Sequence, residues 1–283
     1  MQRIGVIGTG TMGIGIVQVA AQQGLDVVAV EIDEGRSRAA RESLGKTFDR
    51  LVERGRLGRE EADAALARIR WTTLYDDLDG VEAVIEAVPE RIELKHHVFR
   101  ELDAVCRPDA LLATNTSSLS VTEIGAVVRD QTRVLGLHFF NPVPLMALVE
   151  IVRALHTSPA VLERARGLVQ QLGKTAVEVT DTPGFIVNRV ARPFYNEALR
   201  LLNDGVADAA TIDRIMKQAL GFRMGPFELM DLIGNDVNFA VTSSLFQSYF
   251  GEPRYRPSHI QERLVKAGLL GRKTGQGYYK YER

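Results

Sequence analysis

Residues 4–33 read IGVIGTGTMGIGIVQVAAQQGLDVVAVEID, and this stretch decides the fold. Ile4 to Ile7 is an apolar run of strand length, Gly8, Gly10 and Gly13 form a G-x-G-x-x-G turn, and Ile14 to Gln23 continues with helical spacing. Strand, glycine turn and helix in that order make a cradle for a dinucleotide pyrophosphate. Gly8 permits the tight turn, Gly10 removes the side chain that would block the phosphates, and Gly13 lets helix and strand pack closely while the helix dipole faces the negative charge. A second strand, Asp26 to Val30, ends in Glu31, close to the spacing of about 20 residues at which an acid hydrogen-bonds the adenine ribose hydroxyls. A carboxylate there repels a 2′-phosphate, which favours NAD over NADP; Arg36 and Arg38, near in sequence, leave NADP open.

The rest of the chain extends this half-unit. After Glu31 a charged helix, Ser37 to Glu53, a break at Arg54–Gly58 and a second helix, Arg59 to Ala67, exceed what a minimal crossover needs and predict a helical hairpin inserted beside the sheet. Strand signals resume at Ile69–Thr73, Ala83–Ala87, Leu111–Thr114 and Val134–His138, with a helix over Leu94–Val105. Alternating strands and helices predict an α/β fold of Rossmann type, a doubly wound, mostly parallel sheet. Two more strands, Leu148–Val152 and Thr175–Val179, flank a helix over Pro159–Leu172. From Pro183 onward the pattern is helical: Phe185–Asn203, Asp208–Leu220, Gly225–Ile233, Asn235–Tyr249 and Ser258–Ala267. The turn-rich DTPG at 181–184 places the boundary, giving residues 1–182 as a nucleotide-binding domain and 183–283 as an all-α carboxy-terminal domain.

Composition narrows the classes further. A length of 283 residues fits about two domains with proper cores. Lys plus Arg number 35 against 36 for Asp plus Glu, a formal charge of −1, so no overall field recruits nucleic acid or a membrane surface. Cys106 is the only cysteine, which excludes an internal disulfide or a cysteine metal cluster and suits a reducing cytoplasm. Its expected role is that of a small buried apolar residue. The first core strand starts at once, which predicts no cleaved leader, and no apolar run approaches the ~18 residues of a membrane span. The expectation is a cytoplasmic protein.

Chemistry gathers at strand ends. His138 closes the strand RVLGLH, and in an open α/β sheet the carboxyl ends of strands face the ligand crevice. Glu150 interrupts the apolar strand Leu148–Val152, where an unpaired carboxylate is costly to bury. Paired with His138 it would orient the ring and stabilise an imidazolium. The alternative is an edge strand whose glutamate faces water and a histidine that merely caps its strand. Asn115, Thr116, Ser117 and Ser118 follow the strand LLAT, suited either to holding a substrate oxygen or nicotinamide or to plain turn and cap duty. Asn188, four residues past Gly184, either reaches toward a crevice or bonds between helices. His96, His97, His156 and His259 show no partner at metal-ligand spacing and are expected at the surface, so no metal is predicted.

In order along nearly the whole chain, GTGTMGIG, EAVPE, TNTSSL, LHFFNPVPLM, LVEIV, DTPGFIVNR, MGPFELMD and GRKTGQGYYKY closely resemble the L-3-hydroxyacyl-CoA dehydrogenases, including the bacterial 3-hydroxybutyryl-CoA dehydrogenases. The resemblance implies an NAD-dependent enzyme of fatty acid metabolism that interconverts (S)-3-hydroxyacyl-CoA and 3-oxoacyl-CoA. It implies His138 as catalytic base, Glu150 as its partner, and Ser117 and Asn188 in contact with substrate or nicotinamide, while Asn141 helps to hold the arrangement. For the cofactor it implies Gly8, Gly10, Thr11, Met12, Gly13, Glu31, Glu90, Lys95, Ser117 and Lys273. Glu31 departs from the more usual aspartate. Coenzyme A is implied against the hairpin at Ser43 and Arg50, where Lys46, Arg50, Arg54, Arg56 and Arg59 supply positive charge; a solvated helix face is the rival, and the segment from Glu31 to Ser43 is shorter than in animal relatives. A homodimer through the carboxy-terminal helices is implied as well. The alternatives are a related dehydrogenase of a free hydroxy acid and a catalytically silent NAD-binding relative.

Overall fold

The computed structural model describes residues 1–282. The chain folds into two compact units, Met1–Thr182 and Pro183–Arg283. The first unit opens with β1 (Arg3–Ile7), α1 (Thr11–Gln22) and β2 (Asp26–Val30). The hairpin follows as α2 (Glu34–Glu53) and α3 (Arg59–Ala67). Next come β3 (Ile69–Thr72), β4 (Ala83–Glu86), α4 (Ile92–Val105), β5 (Leu111–Thr114), α5 (Val121–Gly125), β6 (Val134–Phe139), β7 (Leu148–Arg153), α6 (Pro159–Gln171) and β8 (Thr175–Thr180).

The eight strands form one sheet in the order β3-β2-β1-β4-β5-β6-β7-β8. Six of them, β1 to β6, run parallel; β7 lies antiparallel to β6 and parallel to β8. Every residue of β4, β5 and β6 is buried, as strands covered on both faces require. The order reverses between β1 and β4, the switch point at which ligands enter such sheets at the carboxyl ends of the strands.

α1 begins three residues earlier than the apolar spacing predicts, at Thr11, so Gly13 lies inside the helix. The cause is steric: a β-carbon on Gly13 would fall 1.8 Å from the Gly8 carbonyl oxygen, and glycine alone lets the helix start that close to the strand. α2 also starts early, at Glu34, because Asp33 caps it by accepting from the Arg36 amide at 2.8 Å. The hairpin is anchored along one side: Leu44 and Phe48 of α2 and Ala62 and Ala65 of α3 join the sheet's own core, and α3 packs on α1. Short α5 is too brief to give a periodic signal in the sequence.

The second unit is helical: α7 (Val187–Asn203), α8 (Ala209–Leu220), α9 (Pro226–Ile233), α10 (Asn235–Ser248) and α11 (His259–Lys266). Its core gathers Tyr195, Leu199, Ile212, Phe227 and Met230. Asp208 caps α8 through the Thr211 amide at 2.7 Å, and Gly221 at φ 72° ends it. No described helix is long and apolar enough to cross a membrane.

Candidate active site

The antiparallel register of β6 and β7 sets His138 directly opposite Glu150. Opposed residues share a face of the sheet with their β-carbons about 5 Å apart, and here the Nδ1 of His138 lies 2.7 Å from Oε2 of Glu150. Both are buried, at 5% and 1% exposure. β7 is not an edge strand, since β8 pairs along its other side; the water-facing alternative for Glu150 is therefore excluded. The Phe140 ring sits 4.5 Å from the imidazole at 56°, walling its side. Beyond β6 the chain turns through Asn141, which is exposed. Lys174 spans this turn from below, donating at 2.6 Å to the carbonyls of both Val143 and Met146.

A second polar cluster at the same edge is only partly legible in the sequence, which singles out Glu90, Lys95 and Ser117; the structure adds Glu86 at the end of β4. Lys95 is 1% exposed and donates to Glu86 at 2.7 Å. Glu86 also accepts from the Val88 amide and the Thr114 hydroxyl, each at 2.7 Å. Lys95 lies 3.3 Å from Glu90 as well. Glu90 in turn gathers the Asn-Thr-Ser-Ser turn: it accepts from the Thr116 hydroxyl, the Ser117 amide at 3.0 Å and the Ser118 amide at 3.2 Å. Burial opposes ionisation of Glu90, but Lys95 and these hydrogen bonds outweigh it and hold the carboxyl below its usual range. Asn115 is a tie between strands, accepting from the Phe139 amide at 2.9 Å. The signal for Glu86 is present in the sequence, because a carboxylate within the apolar run 83–87 poses the same problem as Glu150.

The glycine turn lines a cleft of about 710 Å³ together with Thr11, Met12, Glu31 and Arg36. Gly8 has φ 83°, and a β-carbon on Gly10 would meet nothing within 4 Å, so the turn presents bare backbone to the cleft. Glu31 accepts from both the amide and the hydroxyl of Thr9 at 2.9 Å, which fixes one carboxylate oxygen at the end of β2. Arg36 lies 3.7 Å from Asp33. These residues fit a dinucleotide: an open backbone cradle at a helix start for the pyrophosphate and an acid beside it for the ribose.

The remaining sequence candidates are on α2 and in the second unit. Ser43 and Arg50 are exposed on α2, two turns apart, and Arg50 donates to the Lys46 carbonyl at 3.1 Å. Asn188 opens α7 and Lys273 pairs with Asp236 at 2.7 Å, both in the second unit. His97, His156 and His259 are exposed as expected, whereas His96 is half-buried with its Nε2 2.9 Å from the Glu123 carbonyl oxygen. No group of three or more metal-ligating side chains occurs among the described residues. Cys106 is buried, and desolvation pushes its thiol up to about 11.

Sheet order, glycine turn and the acid ending β2 define the class: a dinucleotide-binding protein of Rossmann type. Residues 3–182 match the model of the 3-hydroxyacyl-CoA dehydrogenase NAD binding domain, and residues 184–281 match that of the 3-hydroxyacyl-CoA dehydrogenase C-terminal domain. The chain is 46% identical over 281 residues to the 3-hydroxyadipyl-CoA dehydrogenase of Escherichia coli, covering 99% of this chain and 59% of the relative, so it spans only part of that longer protein. It is 40% identical over 282 residues to a probable 3-hydroxybutyryl-CoA dehydrogenase of Bacillus subtilis, covering 100% of this chain and 98% of the relative. The crystal structure of the (S)-3-hydroxybutyryl-CoA dehydrogenase of Ralstonia eutropha superposes with a TM-score of 0.95 at 41% identity, covering 100% of both chains. The chain belongs to the 3-hydroxyacyl-CoA dehydrogenase family.

Proposed function

We propose that the chain is an NAD-dependent dehydrogenase of (S)-3-hydroxyacyl-CoA, with residues 1–182 binding the cofactor and residues 183–283 serving substrate binding and dimerisation. The observation that carries this reading is the buried His138–Glu150 pair on β6 and β7 of the sheet that also bears the glycine turn. With Glu150 ionised, Nδ1 of His138 carries the proton it donates, which leaves Nε2 as the basic nitrogen. His138 takes the substrate's C3 hydroxyl proton at Nε2, and Glu150 stabilises the imidazolium formed. NAD, when bound, supplies the acceptor for the hydride from C3.

Ser117 and Asn188 steady the substrate oxygen in this reading, and Asn141 supports the turn that follows His138. Glu90 and Lys95 act behind them by ordering the Asn-Thr-Ser-Ser turn beside the nicotinamide. Gly8, Gly10, Thr11, Met12 and Gly13 hold the pyrophosphate, Glu31 the adenine ribose, and Lys273 adds a cation to the cofactor site. Ser43 and Arg50, on the basic face of α2, receive the nucleotide end of coenzyme A. The protein works in the cytoplasm as a homodimer.

Oxidation of NADH followed by its absorbance tests the reading: acetoacetyl-CoA is reduced, free acetoacetate is not, and NADPH substitutes poorly. Turnover of the free acid at a comparable rate would favour the hydroxy-acid alternative, and no turnover of either would leave a silent NAD-binding protein.

A further inference from the structure

Two arginines are buried among the described residues, and their surroundings differ. Arg133 in the first unit is neutralised by Asp103, its Nη2 donating at 2.6 Å. Arg192, in the second unit and 3% exposed, is buried beside an aromatic ring rather than a carboxylate. Its Nη1 donates to the Asn238 carbonyl at 3.0 Å and touches the Thr242 hydroxyl at 3.5 Å. Its Nη2 lies 3.5 Å from the Asn188 side-chain oxygen, and its Nε has no partner among the described residues. The Tyr195 ring lies 4.8 Å below the guanidinium. Burial without an opposing charge pulls the pKa of Arg192 down, although it stays protonated at neutral pH.

A buried charge without a counter-ion is costly, and proteins rarely retain one without a use. Tying α7 to α10 through one carbonyl needs a donor, not a full cation. The donors left underused, Nε and Nη2, form one edge of the guanidinium plane, the fork that grips a carboxylate through two parallel hydrogen bonds. That edge faces Asn188, one helical turn earlier on the same side of α7. If Asn188 stands at the reacting end of the acyl group, Arg192 stands a few methylenes further along the chain.

We propose that Arg192 anchors a carboxylate at the far end of the acyl chain, so that this protein selects a 3-hydroxy-dicarboxylyl-CoA over a chain of equal length ending in a methyl group. The inference rests on the acyl-CoA dehydrogenase reading above and adds the substrate class. The incoming carboxylate completes the ion pair that the free protein lacks, whereas a methyl terminus leaves the buried cation unpaired and is rejected.

The test compares 3-hydroxyadipyl-CoA with 3-hydroxyhexanoyl-CoA, six-carbon chains that differ only at the terminus. Adipyl-CoA and hexanoyl-CoA serve as unreactive probes for calorimetric binding. The wild type is expected to favour the dicarboxylyl substrate at least tenfold in kcat/KM and the adipyl probe to a similar extent in Kd. Arg192→Met, which keeps much of the side-chain volume, is expected to lower kcat/KM for 3-hydroxyadipyl-CoA on the order of 100-fold while leaving 3-hydroxyhexanoyl-CoA within about threefold. Arg192→Lys, which keeps the charge without the fork, is expected to fall between them and serves in its place if the methionine variant does not fold. Equal use of both substrates by the wild type overturns the proposal, as does an equal loss on both in the variants, which marks a purely structural arginine. Absence of turnover with adipyl-CoA still bound more tightly through Arg192 retains the anchor and refutes the dehydrogenase reading instead.

Discussion

At the scale of single residues the site depends on one cross-strand pair. The Glu150 carboxylate is buried, and the imidazole beside it gives it a hydrogen-bond partner there. A base held in one tautomer and orientation contributes about 10²–10⁴-fold to a proton-transfer step, so His138→Gln is expected to lower kcat by that order. Glu150→Gln turns the Nδ1 acceptor into an amide that can also donate, freeing the ring to adopt the wrong tautomer, with a loss of similar order. Neither residue lines the glycine cleft, so NADH affinity, read by fluorescence titration, is expected to stay within about threefold of the wild type. Near-normal turnover in either variant removes the pair from the mechanism.

At the scale of elements, the two glycines of one turn act through different physics. A β-carbon on Gly13 overlaps the Gly8 carbonyl, which neither strand nor helix can relieve without moving, so Gly13→Ala is expected to lower stability by at least about 1–3 kcal/mol. Gly10 faces open space. Gly10→Ala is therefore expected to melt like the wild type while weakening NADH about tenfold, roughly 1.4 kcal/mol, because the added methyl occupies the place of a phosphate. Thermal melts and titrations on the two variants separate these effects; a destabilised Gly10 variant with normal affinity would deny the cradle. Another element contact titrates. Asp103 joins α4 to Arg129 and Arg133, and although burial opposes its ionisation, the hydrogen bonds from both arginines hold its carboxyl below the usual range. A depressed folded pKa gives stability that is present above the unfolded value of about 3.9 and lost as pH falls through the folded one. Asp103→Asn is thus expected to melt lower than the wild type at pH 7, the gap closing below about pH 4; a gap that persists at low pH would show that packing, not charge, is lost. The sequence makes such elements legible where periodicity is long, as in α1, α2, α6 and α7. It leaves two things unread: α5, five residues long, and the pairing of β7 between β6 and β8, which depends on contacts distant in sequence. Glu150 could be singled out from its apolar neighbours, but its burial follows only from that pairing. Glu86 carries the same signal within its apolar run, and its role likewise follows only from partners on the next loop, α4 and β5.

At the scale of the whole molecule the second unit leaves several large apolar side chains exposed. Ile215, Leu220 and Phe222 are exposed at 54%, 64% and 45% around the end of α8, and Leu232 and Val237 are about half exposed near the junction of α9 and α10. Exposed large apolar side chains on one helical unit are the kind of surface that association covers. In the proposed homodimer a second copy of the chain would cover these side chains by the symmetric, self-complementary contact that dimers most often use. Light scattering is therefore expected to give twice the chain mass of 31.3 kDa. Because a partner that binds only the folded chain stabilises it by mass action, the melting temperature should also rise with protein concentration. Replacing Ile215 and Phe222 together by aspartate places two charges in that surface and is expected to halve the mass while leaving the Rossmann unit's affinity for NADH unchanged. A wild type of single-chain mass, with a melting temperature indifferent to concentration, would show instead that these side chains serve another partner or none.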